Sequence, residues 1–255
     1  MISLISIFRV WQRYLAVFRK NIVYALVTTF VEPFLYLLSF GFGLGSMIGA
    51  VNLDGQAIPY RAFVLAGIVA QTLLFQGFFE AAYGSFIRMY YQKIFQAIAV
   101  TPVTLSEVLW GELIWDSSRA TLSAGAVLMV GVAIGDFPWL GALAILPFCF
   151  FFAMIFAALG LWVAAKSRTI ESISYPQYLL VFPMFLFCGV FFPLTNLPVL
   201  FQKAAWALPL TPVLSMMRSF TLGAAFDPKA LLILILWVAV LVPLARRAMI
   251  RRLLA

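Results

Sequence analysis

What most constrains this chain is an alternation. Apolar runs of about twenty residues, each long enough to cross ~30 Å of hydrocarbon as a helix, are separated by short breaks that carry most of the Lys and Arg. With 65% hydrophobic and only 10% charged residues, 255 residues cannot supply the charged surface, roughly a quarter of positions, that a soluble domain needs. The chain reads as an all-α integral membrane protein. In that setting the net charge of +8 is a topology signal beside apolar spans and not a nucleic-acid footprint, so no nucleic-acid partner is expected.

Residues 4–20 fit one amphipathic helix. Leu4, Ile7, Phe8, Trp11, Tyr14, Leu15 and Phe18 share one side, and Arg9, Gln12, Arg13, Arg19 and Lys20 the other. That pattern describes a helix lying in the membrane interface, in contact with lipid headgroups. Spans are expected at about 22–45, 60–83, 106–134, 140–164, 173–192 and 229–244. The first is followed by a polar loop with Asn52 and Asp54; Gly135-Asp136-Phe137-Pro138 reads as a tight turn. Residues 197–222 hold two apolar pieces around Pro209-Leu210-Thr211-Pro212, each ~15 Å long as a helix; a re-entrant pair of half-helices fits them.

Counting basic residues orients the chain. With both termini on one side, that side receives Arg9, Arg13, Arg19, Lys20, Arg88, Lys93, Lys166, Arg168 and the four C-terminal arginines; the other receives at most Arg61, Lys203, Arg218 and Lys229. The excess places both termini in the cytoplasm. The stretch 88–102, RMYYQKIFQAIAVTP, then becomes the longest polar break on the cytoplasmic side.

The sequence excludes several chemistries. It has no histidine, so no His-based metal site or proton relay, and Cys149 and Cys188 sit in apolar runs without ligand spacing; no metal site is expected. No Gly-x-x-x-x-Gly-Lys-Ser/Thr occurs, so the chain does not cradle nucleotide phosphates in that manner. It reads as a non-enzyme. The sharpest features are charges inside spans: Glu32, Glu80, Glu112, Asp116 and Arg119. Such groups face a bundle interior or a water-filled cavity. They serve either as a polar conduit or as an ion-paired cluster fixing helix packing, with Asp116 and Arg119 able to pair at i, i+3. Concentrated toward one side, they do not form the full-depth relay of an ion-driven carrier. A non-transporting scaffold is opposed only by the cost of burying them.

The run Gly189-x-x-Phe192-Pro193-x-x-x-Leu197-Pro198, then Pro209-Leu210-Thr211-Pro212 and Arg218, resembles the segment before the last span of ABC-2 type transporter permeases. Glu32 to Leu38, Gly41 to Gly45, Tyr60 to Gly67, Phe79-Glu80-Ala81 and Leu109 to Trp115 resemble the branch exporting lipo-chitooligosaccharide nodulation signals. The resemblance covers essentially the whole chain. It implies a homodimer bound to two copies of a separate ATP-binding cassette subunit, which holds the ATP and Mg while this chain holds no cofactor. It places ATPase coupling on Arg88, Gln92, Lys93, Ile94, Phe95 and Ile98. It places a conduit or outer gate at Phe75, Phe79, Phe187, Phe191, Phe192 and Pro193, and export of a lipid-linked or glycolipid cargo from the bacterial inner membrane. Efflux of a hydrophobic drug would make the same demands on the membrane segments.

Overall fold

The computed structural model describes residues 3–53 and 55–254. Asp54, expected in the polar loop, lies outside them. Helix α1 (Leu4–Lys20) is followed by α2 (Ile22–Tyr36), which widens into π turns at Leu37–Leu44 and ends in α3 (Gly45–Ile48). The polar break that follows is a two-stranded antiparallel hairpin, β1 (Ala50–Leu53) with β2 (Gln56–Pro59), and not a plain loop. Gly55 supplies the positive φ of +85° that its turn needs, and its N–H donates to Asn52 Oδ1 at 3.0 Å.

Helix α4 (Tyr60–Phe79) is the centre of the molecule: every residue from Ala62 through Phe75 is buried. It packs against α6 (Leu105–Ile134), α7 (Trp139–Lys166) and α11 (Leu210–Leu222), and α12 (Pro228–Leu254) lies along α7. Close approach needs small residues. A Cβ on Gly160 of α7 would meet the Phe78 carbonyl of α4 at 2.5 Å. Among the described residues, five helical stretches are long and apolar enough to cross a membrane: 31–48, 60–91, 105–134, 139–166 and 228–253.

The second of these exceeds its expected span by eight residues. Beyond Phe79 the helix continues through π turns at Glu80–Gly84 and Ile87–Tyr91, since nothing from Ser85 to Tyr91 breaks it. It ends where Lys93 takes a left-handed φ of 51°, and α5 (Ile94–Ala99) follows. Between Glu171 and Phe187 the chain is helical throughout but changes pitch, through α8 (Ser174–Pro176), a π segment and α9 (Phe182–Phe187). Its turns stop five residues before the expected end, and Gly189 turns the chain at a φ of +88°. Two short helices follow, α10 (Val199–Ala207) and α11.

Helix α6 begins with a capping box. The Glu107 N–H donates to Thr104 Oγ1 at 3.4 Å, and Glu107 Oε2 accepts from the Thr104 N–H at 2.7 Å. Its other oxygen accepts the Ser3 N–H at 2.6 Å, so one carboxylate caps α6 and anchors the start of α1. Arg246 of α12 donates to Ser106 at 3.0 Å, so both chain ends gather at this end of the bundle. The β hairpin marks the opposite end.

Candidate functional site

At the α1 end, α4 and α6 bring five charged side chains together. Arg88 is the hub, with only 13% of its side chain exposed. Its Nη1 donates to Glu80 at 2.9 Å, its Nε to Glu112 at 2.7 Å, and its Nη2 to Asp116 at 3.3 Å. Ser85 donates to Glu112 at 2.5 Å, and Arg119 donates to the second oxygen of Glu80. Asp116 and Arg119 therefore do not form the expected i, i+3 pair; they take different partners. The physical reason is Arg88, which the continued helix carries inward against two fully buried carboxylates.

Helix α1 closes the cluster from the side. Tyr14 is buried, its ring lies 5.1 Å from the Arg88 guanidinium, and its hydroxyl faces Glu112. Burial, then the negative charge of Glu112, hold that phenol neutral well above its ordinary range. Trp115 of α6 packs against Trp11, Tyr14 and Phe18 at centroid distances of 6.5, 6.0 and 5.7 Å, and Trp11 Nε1 donates to Ser118 at 3.2 Å. A Cβ on Gly111 would strike Val10 at 2.6 Å, so α1 seats closely. A cleft of about 460 Å³ remains between α1, the end of α4 and α6, lined in part by Arg13, Asn21, Arg119 and Gln92.

The six residues expected to contact an ATPase are not one surface. Gln92 and Lys93 are exposed, Ile94 and Ile98 half-buried, and Phe95 is fully buried in the main core. Arg88 lies underneath, in the ion cluster. The outward face of the segment is built by Gln92, Lys93 and Gln96 with Tyr90, Tyr91 and Val100. The last three are apolar or aromatic, which disguised them in a hydrophobic chain; Val100 is 88% exposed.

The aromatic residues assigned to a conduit or gate form a ladder along the bundle. Ring centroids step from Tyr83 to Phe79 at 6.2 Å, Phe79 to Phe75 at 5.4 Å, Phe75 to Phe185 at 5.1 Å, and Phe185 to Phe191 at 5.2 Å. Tyr60 donates to the Phe191 carbonyl at 3.0 Å, and Phe191, Phe192 and Pro193 line a recess of about 630 Å³ beside the hairpin. Phe187 lies off this line, exposed and stacked on Phe201 at 6.1 Å. Glu32 also stands apart from the charge cluster, on α2, beside a groove of about 660 Å³.

Two basic residues counted as far-side loop charges are structural. Arg61 makes a bidentate pair with Asp136 at 2.7 and 2.8 Å. Arg218 is buried over the Phe63 ring at 3.8 Å and donates to the Gly189 carbonyl at 2.7 Å. That bond joins two residues of the 189–218 motif across 29 positions. A model of the ABC-2 type transporter family matches residues 5–222.

The chain belongs to the ABC-2 type transporter family. Its similarity to curated members extends along nearly its whole length. Nodulation protein J of Rhizobium leguminosarum bv. viciae is 32% identical over 244 residues, covering 95% of this chain and 93% of that protein. Nodulation protein J of Rhizobium leguminosarum bv. trifolii is 33% identical over 214 residues, 84% and 80% of the two chains. The inner membrane transport permease YadH of Escherichia coli (strain K12) is 23% identical over 219 residues, again 84% and 80%. An ABC-2 chain with five long apolar helices is an integral membrane protein, and the cluster, the aromatic ladder and the 189–218 motif all fall within it.

Proposed function

We propose that this chain is the permease subunit of an ATP-driven exporter that moves an amphipathic, lipid-linked or glycolipid cargo out across the bacterial inner membrane. The observation that carries this reading is likeness to Nodulation protein J over 95% of the chain, in a sequence with no phosphate-binding loop. ATP, with its Mg, is then hydrolysed on a separate cassette subunit, two copies of which serve a homodimer of this chain. Six crossings follow if Glu171–Phe187, ~25 Å long at 1.5 Å per residue, joins the five longer helices. α1 lies in the interface, and α10 with α11 form a re-entrant pair between Pro198 and Leu222. The basic excess at the α1 end supports cytoplasmic termini.

In this reading the ATPase docks on Tyr90, Tyr91, Lys93, Gln96 and Val100, and buried Phe95 transmits its thrust to the core. Arg88 couples the same segment to α1 and α6. The test is co-purification from native membrane followed by reconstitution. A bound ATP-binding subunit is expected, and Lys93→Glu or Val100→Asp should lower transport per ATP hydrolysed without loss of folded protein. A solitary permease driven by an ion gradient would overturn the proposal.

A further inference from the structure

Glu32 has no ion-pair partner among the described residues, and the groove beside it is lined by no cationic side chain. It lies one residue before Pro33 inside α2, within the first membrane-length stretch, where an uncompensated carboxylate is costly and points to a functional site. Tyr36, Ser39 and Phe40 follow it on the same helical face, at i+4, i+7 and i+8, and all line the groove. From α4, the Gln71 side chain approaches the Tyr36 hydroxyl. Gln71 is only 2% exposed, and its Oε1 has no hydrogen-bond partner among the described residues. Behind the polar groups stand aromatic faces: Phe40 lies 4.3 Å from Phe191, and Tyr36 lies 6.0 Å from Phe185.

The niche is rich in acceptors. A carboxylate waits for donors, the Tyr36 and Ser39 hydroxyls can give or take, and no positive charge competes among the described lining residues. Flat aromatic faces beside convergent acceptors suit a ligand with both hydroxyl or amide N–H donors and apolar C–H faces. From this we infer that Glu32, Tyr36 and Ser39 form a cargo-reading site for an uncharged, polyhydroxylated or N-acetylated sugar head, with buried Gln71 standing behind Tyr36. The inference rests on the proposed glycolipid export, and it assigns to that cargo the side chains that distinguish it from a purely apolar one.

The test uses the permease with its ATPase subunit in nanodiscs, titrated with a fluorescent N-acylated chitotetraose and, separately, a quaternary-ammonium amphiphile of equal chain length. Uptake of both is followed in inverted membrane vesicles. Wild type should bind and move the sugar-headed probe. Glu32→Gln keeps an acceptor oxygen and should bind within about threefold, whereas Glu32→Leu leaves sugar donors unpaired and should weaken binding about tenfold or more. Ser39→Leu, at an exposed position that folding does not need, should do the same by filling the groove. Wild-type affinity in both Leu variants, with transport of the probe intact, would overturn the site and leave glycolipid export standing. Equal loss in Glu32→Gln and Glu32→Leu, with tighter binding of the ammonium probe, would make it a cation site and overturn the assignment. A wild type that neither binds nor moves the sugar probe would overturn glycolipid export and this site together.

Discussion

Replacing Arg88 by Met tests the ion cluster at its hub. The substitution keeps the stem volume and removes the guanidinium that holds Glu80, Glu112 and Asp116 at 2.9, 2.6 and 3.3 Å. Removing one partner of a buried pair costs about 3–5 kcal/mol, because the opposite charge is left uncompensated; here three carboxylates would face Arg119 alone. At about 2–4 °C per kcal/mol for a chain of this size, the midpoint should fall by roughly 6–20 °C. Asp116→Asn should behave oppositely. Its bond to Arg88 is the longest of the three, and without its charge two carboxylates face two guanidiniums, so the cost should stay below about 1 kcal/mol. Thermal midpoints in lipid nanodiscs, followed by fluorescence-detected size exclusion, measure both. Combining Arg88→Met with Glu112→Leu should recover part of the loss, with a coupling of about 1–3 kcal/mol. The reasoning is refuted if Asp116→Asn costs as much as Arg88→Met, or if Arg88→Met is neutral.

Three further outcomes are expected from the same assay. Asp136→Asn should cost at most about 1 kcal/mol, far less than loss of Arg88, because its partner Arg61 is 35% exposed and solvent screens the pair. Gly160→Val should lower the midpoint by several degrees, the ~1–3 kcal/mol of overpacking, since the Phe78 carbonyl at 2.5 Å is backbone and cannot rotate away; a wild-type midpoint would show that α4 and α7 can part. Lys93→Val should be less stable than Lys93→Gly by about 1–2 kcal/mol, because a β-branched residue resists the left-handed φ of 51°, and equal midpoints would show that the turn relaxes.

The membrane class, α1 and most long helices were legible because they depend on periodicity and run length alone. Glu80, Glu112, Asp116 and Arg119 were legible as a cluster because charges inside apolar spans have few places to go. Arg88 was misplaced because a charge usually ends a span; here the ions across the bundle compensate it, so the helix runs on to Tyr91. A signal was present, since no proline or glycine interrupts Ser85 to Tyr91. The Thr104–Glu107 capping box was equally readable. Arg61 and Arg218 were opaque because counting charges by loop cannot see Asp136, Phe63 or the Gly189 carbonyl. Tyr90, Tyr91 and Val100 were hidden by composition, for exposure of an apolar residue is invisible where nearly every residue is apolar.

The seat of α1 also has a consequence in time. Its anchors are distant in sequence: Ser3 bonds Glu107 across 104 positions, and Trp11 bonds Ser118 across 107. At about 5–20 residues per second of synthesis, α1 waits on the order of 5–20 s for the surface that receives it. Only when α6 has emerged can Tyr14 cover Arg88, and only then is the Glu107 carboxylate shared by both helix starts. The helix is thus fastened well after it is made, and a protein whose ion cluster failed to assemble would leave a free basic amphipathic helix at the membrane surface as the mark of its incompleteness.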